Sequence, residues 1–447
     1  MSAPPYIGTA LLALVACGPS VDLDGSPGAE AGLGTSPGAP GTSGDNGNAL
    51  ETTDSGQAKL DIAAAFDVGA PPPPLPPGMC PPDCQLQLSR DWIFNGPPSD
   101  RVDPQSEIAV VDAGDGTTIV ADQREGAITP ARLDASGQQL WTAPLALPCD
   151  PCRLSNIALH PTSTDLLIAG YGADVMGMPI AVLARVERED HTVVWSVDSP
   201  LVDGLRVTPR AGSVAVVHET LIVQPVVHAA PRPDLEAIEL NLHDADSGSL
   251  ILSQPIASAP PPASPWVPRA ASFDQLVVVA YAGPDTQSQG QFTWLDPLSG
   301  DVSLTAIRTD PIAGLVSSEQ RVISIGRASG GRAPMLSVRS ATLAEPAEWE
   351  VYEDSEFDFH EPSAIVADQL GHAHAAVQLT GARPSTVQLW RWTETGDLVW
   401  RVSLPLVTDP AGTPIALDVR DDTSLILGSF SEGGVHVERR TPSCQCG

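Results

Sequence analysis

The sequence predicts an all-β fold, a β-propeller of about seven four-stranded blades preceded by a disordered tether, and three observations carry that prediction. Apolar stretches of strand length, broken by Asp/Ser/Gly turns, recur through residues 80–447. An aromatic or aliphatic anchor recurs with them, at Trp92, Trp141, Trp195, Leu252, Leu304, Trp349 and Trp400, with successive anchors 45 to 57 residues apart. Residues 17–79, in contrast, are rich in Gly, Pro and Ser. A repeat near 50 residues has the length of one four-stranded blade and exceeds a simple hairpin repeat. A β-sandwich pair or a solenoid with chance tryptophan spacing is the competing architecture.

The repeating unit is clearest at residues 131–145. Ala131 and Leu133 alternate into Asp134-Ala135-Ser136-Gly137, where Asp can bond its own backbone and Gly can take positive φ, and Gln138 to Ala143 forms the return strand. Side chains alternate along a strand, so Gln139, Trp141 and Ala143 share one face, which places Trp141 to pack between sheets. Residues 389–405 repeat the plan with Thr395-Gly396-Asp397 as the turn and Trp400 as the anchor, and weaker copies end at Trp195, Leu252 and Leu304. Upstream of each hairpin lies a strand-turn-strand segment. It runs from Ile108 to Val111, through a polar turn from Asp112 to Thr117, to Thr118 to Ala121, and it recurs at residues 363–381 and 415–434.

This Asp, Gly and Trp pattern resembles two related bacterial propeller repeats, the quinoprotein-like (PQQ-type) blade and a short extracellular repeat in which an apolar strand with Asp and Gly precedes a Gly-ended strand. The likeness covers most of residues 80–447 and implies a fold more than an activity. The quinoprotein resemblance would imply an oxidoreductase with adjacent cysteines at its cofactor. The chain has no Cys-Cys pair, and no cofactor is expected.

At the amino terminus, Tyr6 to Ala16 is apolar but too short to span a bilayer, and it reads as the core of a signal peptide over residues 1–16. Leu14-Val15-Ala16-Cys17 resembles the bacterial lipobox, which implies acylation of Cys17 and removal of the residues before it. No Lys or Arg precedes Cys17, a departure from the usual signal peptide. Two or three acyl chains anchor a protein stably where one does not. Residues 17–79 then form a lipid-anchored linker whose composition buries too little apolar surface to offset ordering entropy. Leu60 to Phe66 is the one stretch there with the residues for a transient helical turn.

The chain holds 23 basic and 55 acidic residues, a formal net charge of −32. That argues against nucleic acid or an anionic membrane surface as partner, since both need a basic patch. Lys59 is the only lysine, so a phosphate-loop lysine, a Schiff-base lysine and a Ser-Lys dyad are absent from residues 80–447. Apart from Cys17 there are six cysteines, Cys80, Cys84, Cys149, Cys152, Cys444 and Cys446. An even set in an exported chain reads first as disulfides. Two other readings stand beside it: redox chemistry at Cys149-Asp150-Pro151-Cys152, which lacks a thioredoxin-like context, and a zinc site from Cys80, Cys84, Cys444 and Cys446.

Strand counting sharpens the disulfide expectation. The Trp92 segment is an outer strand without inner strands before it, while residues 415–440 supply three strands without a fourth after them. Together they complete one blade and close the ring. Cys80 and Cys84 then meet Cys444 and Cys446, which predicts at least one bridge between the two groups and leaves Cys149 and Cys152 to pair locally.

Two further groups invite a metal reading. His372 and His374 open one strand on the same side, near His360-Glu361, and Asp244, Asp246 and Gly248 imitate part of a calcium loop without its bidentate Glu. The plain readings are an inter-blade polar contact and a hairpin turn. The functional expectation is an exported cell-envelope lipoprotein, membrane-attached only through its lipid anchor, whose propeller is a non-catalytic platform for envelope proteins or an unknown ligand. The competing class is an envelope enzyme, a metal-dependent hydrolase or a quinoprotein-like oxidoreductase, with its site in the central channel.

Overall fold

The computed structural model describes residue 80 and residues 84–97, 107–202, 210–229, 236–259, 268–273, 276–282, 290–297, 299, 301–306, 309–318, 321–328, 334–340, 348–351, 359–380, 386–393, 397–405, 415–431 and 434–446. Cys17, the expected signal segment and the expected linker through Met79 lie outside the described residues. Among the described residues every regular element is a strand.

The chain enters through β1 (Cys84–Asn95) and then builds blades in sequence. The first holds β2 (Ile108–Asp112), β3 (Thr118–Arg124), β4 (Ala127–Leu133) and β5 (Gln139–Thr142), and the second β6 (Cys152–Leu159), β7 (Leu166–Ala173), β8 (Pro179–Val186) and β9 (Val193–Pro200). The third holds β10 (Arg210–Ala211), β11 (Ala215–Val217), β12 (Leu221–Ala229), β13 (Glu236–Asp244) and β14 (Leu250–Ala259). The fourth is β15 (Arg269–Phe273), β16 (Leu276–Ala282), β17 (Gly290–Leu295) and β18 (Val302–Ala306). The fifth is β19 (Thr309–Ser318), β20 (Arg321–Ala328), β21 (Pro334–Ser340) and β22 (Glu348–Val351). The sixth is β23 (Phe359–Ala367), β24 (Ala373–Thr380), β25 (Thr386–Trp392) and β26 (Leu398–Pro405), followed by β27 (Ala416–Val419), β28 (Leu425–Ser431) and β29 (Gly434–Cys446).

Each blade is an antiparallel meander in sequence order, and the seventh sheet has the order β1-β29-β28-β27. Seven sheets of this kind form the β-propeller, closed by pairing the amino-terminal strand with the carboxy-terminal one. All seven anchor positions fall in the outermost strand of their blade, from Trp92 in β1 to Trp400 in β26.

The closing ladder runs further than strand counting suggests. Cys84 lies opposite Cys446 and Leu86 opposite Cys444, so both carboxy-terminal cysteines sit inside β29 rather than after it. Cys80 bonds Cys444 and Cys84 bonds Cys446, across 364 and 362 residues of sequence. The expected staple is therefore double, and the four thiols that would have served zinc are used up in it. Cys149 and Cys152 bond each other in the connection between the first two blades, where Asp150 N–H donates to Ala173 O and Cys152 N–H to Gly126 O. That is a structural clasp within all-β surroundings.

One blade departs from four continuous strands. The inner strand of the third blade is split into β10 and β11, both paired to β12. The break faces Pro225, which has no N–H to continue the ladder. Gly212 there donates to Pro225 O, and a Cβ on Gly212 would come within 2.5 Å of Pro268 O.

At three blade junctions the anchor reaches the next blade. Gly137, at φ +79°, lies under Trp92 of the preceding blade so closely that a Cβ would sit 2.7 Å from the indole. Gly248, at φ +71°, lies under Trp195 in the same way. Between these two contacts, Trp141 stacks on His191 with ring centroids 3.7 Å apart, and His191 itself has φ 62°. In three successive junctions, then, an outer-strand tryptophan covers a left-handed residue in the next blade's last turn. The left-handed backbone brings the chain flat against the ring, which is why Gly suits two of these positions.

Candidate functional site: the central channel

The innermost strand of every blade has one hydrogen-bonding edge without a partner strand, and in a propeller these edges surround an axial channel. Here they enclose a cavity of about 530 Å³ lined from all seven blades. Aliphatic and small residues make up most of the wall, for instance Ile108, Ile157, Val214, Leu315, Ile365 and Leu417. The charged residues among the lining positions are Glu107, Arg269 and Asp418.

Because each blade begins at its inner strand and contains an even number of strand positions, all inner strands run the same way along the axis. Glu107 immediately precedes β2 and Arg269 opens β15, so both mark the end where the strands start. Burial raises the Glu107 carboxyl, and the Arg269 guanidinium charge pulls it back. No direct hydrogen bond or ion pair joins the two. Nearby, burial raises the Tyr171 hydroxyl, Glu107 raises it further, and Arg153 and Arg210 oppose that shift, so this mouth gathers charge from four consecutive blades.

Asp418 lies at the opposite end, where β27 finishes. Its Oδ2 accepts from the Asp112 N–H and its Oδ1 from the Val419 N–H at 2.9 Å, while Arg420 Nη2 reaches Asp112 Oδ1 at 3.3 Å. Burial dominates over these bonds, and with the Asp112 charge added it pushes the Asp418 carboxyl up to about 7. Asp112 is raised as well, by burial against Arg420.

The sign of the resulting pH dependence follows directly. An acid that titrates near 7 when folded and in the ordinary range of about 3.9 when unfolded holds its proton more tightly in the folded state, so its contribution is complete below about pH 4 and is lost as pH rises through 7. Asp368, Asp422 and Glu438 are shifted down instead, so they destabilise only at acid pH, below the ordinary carboxylate range. Asp418→Asn keeps one of the two acceptor oxygens and removes the titration. The expected result is a flatter profile: relative to wild type, the variant's thermal midpoint rises by several degrees between pH 4 and pH 8, on top of any pH-independent loss from the acceptor that the amide nitrogen replaces. An unaltered profile in the variant would show that Asp418 is not the group responsible.

The histidine pair has a different setting. His374 Nε2 lies 3.1 Å and His372 Nδ1 3.3 Å from Asp368 Oδ2, and Arg391 Nη2 approaches the same oxygen at 3.1 Å. A guanidinium in the middle of the group occupies the place a metal would need, so the cluster is a buried polar brace within the sixth blade. Side chains of His360 and Glu361 lie outside the description. Among the described residues no group of three or more His, Cys, Asp or Glu is arranged to hold a metal. Asp244 and Gly248 form the turn between β13 and β14, with Asp244 Oδ1 accepting from Ser247 N–H at 2.8 Å.

The Asp368–Arg391 contact belongs to a pattern that the sequence reading missed. Arg132 meets Asp115 at 2.8 Å, Arg185 meets Asp165 at 2.8 Å, and Arg439 meets Asp422. Each pair ties a third-strand arginine to the turn between the first and second strands of its own blade. The available signal was an Arg two residues before the last turn's opening residue, as in Arg132 before Asp134 and Arg185 before Glu187.

No protein-family model and no curated protein sequence matches the chain. Solved structures resemble it at low identity. An acylaminoacyl peptidase of Pyrococcus horikoshii aligns over 73% of this chain and 50% of its own length, at 9% identity and a TM-score of 0.47. BBS1N, crystallised in complex with ARL6DN, aligns over 79% of this chain and 96% of its own, at 12% identity and a TM-score of 0.49. A functionally unknown protein from Desulfotomaculum acetoxidans aligns over 74% and 94%, at 13% identity and a TM-score of 0.43. The chain thus spans about half the length of the peptidase it resembles.

Proposed function

We propose that this protein is an exported cell-envelope lipoprotein whose β-propeller is a non-catalytic binding or scaffolding platform, with quinoprotein-like repeats as its building unit. The observation that carries the platform reading is the composition of the channel. A hydrolase or oxidoreductase of this shape needs acids, histidines or cysteines converging from several blades. Here the lining carboxylates Glu107 and Asp418 stand at opposite ends of the cavity, and aliphatic residues lie between them. The repeat reading is supported by the Asp134-Gly137-Trp141 spacing and by the recurring seat of a tryptophan on a left-handed turn residue.

Export and anchoring rest on Leu14-Val15-Ala16-Cys17, on the linker composition, and on three disulfides, which persist in oxidising compartments. The partners are other envelope proteins or a ligand, and the membrane is met through acyl chains only. Cys17→Ser is expected to move the protein from the membrane pellet to the soluble fraction of its native cells, with unchanged folding. Fractionation identical to wild type would reject the anchor.

A further inference from the structure

We propose that the mouth of the channel at Glu107 and Arg269 is a binding site for a small molecule carrying both a carboxylate and an ammonium group, that is, an amino acid or a short peptide. The proposal rests on the channel geometry and is independent of lipidation.

Glu107 and Arg269 stand on the first and fourth blades, which are not neighbours, and both line the same cavity. Arg269 is near enough for its charge to pull the Glu107 carboxyl down, yet no side-chain hydrogen bond or ion pair joins the two side chains to each other or to another described residue. A guanidinium presents a planar fork of five N–H donors that matches a carboxylate in bidentate fashion. A carboxylate only accepts, so its natural partner is a cationic donor. Two opposite charges facing one cavity, each with unused hydrogen-bonding capacity, are completed by a ligand with the reverse pair.

Most other described arginines are already committed. Arg132, Arg185, Arg420 and Arg439, for example, sit at the other end of the strands against Asp115, Asp165, Asp112 and Asp422. Arg153 and Arg210 lie beside Tyr171 near the Glu107 mouth and give it a positive field in an otherwise acidic chain. That field favours the carboxylate end of a ligand arriving first. The cavity volume of about 530 Å³ is within the range of small-molecule pockets, which run from about 300 to 1,000 Å³. It accommodates a free amino acid and also a peptide of a few residues, so the test separates the two.

Titration calorimetry on the full-length protein would use the common L-amino acids and the dipeptides Gly-Gly and Ala-Ala, each also as its N-acetyl and methyl-ester form. The expected result is that at least one uncapped probe binds with Kd at or below about 1 mM. Either cap should weaken binding by about tenfold or more, the loss of one charged hydrogen-bonded contact. Arg269→Gln should abolish discrimination against the ester alone, and Glu107→Gln discrimination against the N-acetyl form alone. Asp244→Asn, in the turn between β13 and β14 and not among the residues lining the cavity, should leave affinity unchanged. If only amino acids bind, the ligand is a free amino acid, and if only dipeptides bind, it is a peptide. No binding by any probe, or binding indifferent to both caps, overturns the proposal, and the cap comparison on wild type holds even if a variant fails to fold.

Discussion

Replacing Cys80, Cys84, Cys444 and Cys446 together by serine is expected to lower stability by about 8 kcal/mol in the chain-entropy model, whereas removing either bridge alone costs about 2 to 3 kcal/mol. The difference comes from nesting. A bridge across 364 residues closes a very long loop and by that model contributes about 6 kcal/mol. Once it exists, the bridge four residues further along on one side and two on the other closes only a ring of about eight residues, worth about 2 to 3 kcal/mol. Either bridge can act as the long closure, so the first removal is mild and the second is severe. Urea titration of the two double variants and the quadruple variant decides this, together with amide exchange of β1, which should lose protection first. Equal and additive losses would show that the bridges do not share one loop.

The second large effect is expected at the junction between the closing blade and the first. Gly137→Ala introduces a Cβ 2.7 Å from the Trp92 ring, at a backbone φ of +79° that L side chains rarely adopt. The expected cost is about 2 to 4 kcal/mol, roughly 1 from the left-handed backbone and the rest from displacing a large buried ring. Trp92→Ala alone is expected to cost about 3 to 5 kcal/mol. In the Trp92→Ala background the clash is gone, so adding Gly137→Ala should cost only the backbone part. A double-mutant cycle with a coupling of at least about 1 kcal/mol supports the contact, and additive losses contradict it.

These expectations show where the sequence was readable. The blade count and closure followed from local signals: each turn and its tryptophan lie within a dozen residues, and the period repeats them. The cysteine pairing followed once the incomplete first and last blades were put together. What was not legible required register between distant segments. Glu107 and Arg269 are 162 positions apart in sequence, and neither stands in a motif. Only the shared axial direction of the inner strands brings them to one mouth. A charged residue at or just before the apolar inner strand was visible at both places, but without the ring it had no meaning. The split in the third blade also escaped notice, because a proline within an apolar run gives no warning of which neighbouring strand loses its bond. His372 and His374 were placed on one side correctly, while the arginine that occupies the space between them and Asp368 comes from another strand.

The double staple also decides how the ring answers to pulling. Tension arriving along the chain ahead of Cys80 would ordinarily peel β1 from β29 one hydrogen bond after another, the weakest way to load a sheet edge. Here it meets the Cys80–Cys444 bond before it reaches the first ladder pair at Cys84 and Cys446. The strain passes covalently into β29, a central strand of its blade paired on both sides. A tug on the amino-terminal segment therefore moves the whole wheel as one piece instead of unzipping its seam, so long as the surroundings keep the sulfurs oxidised.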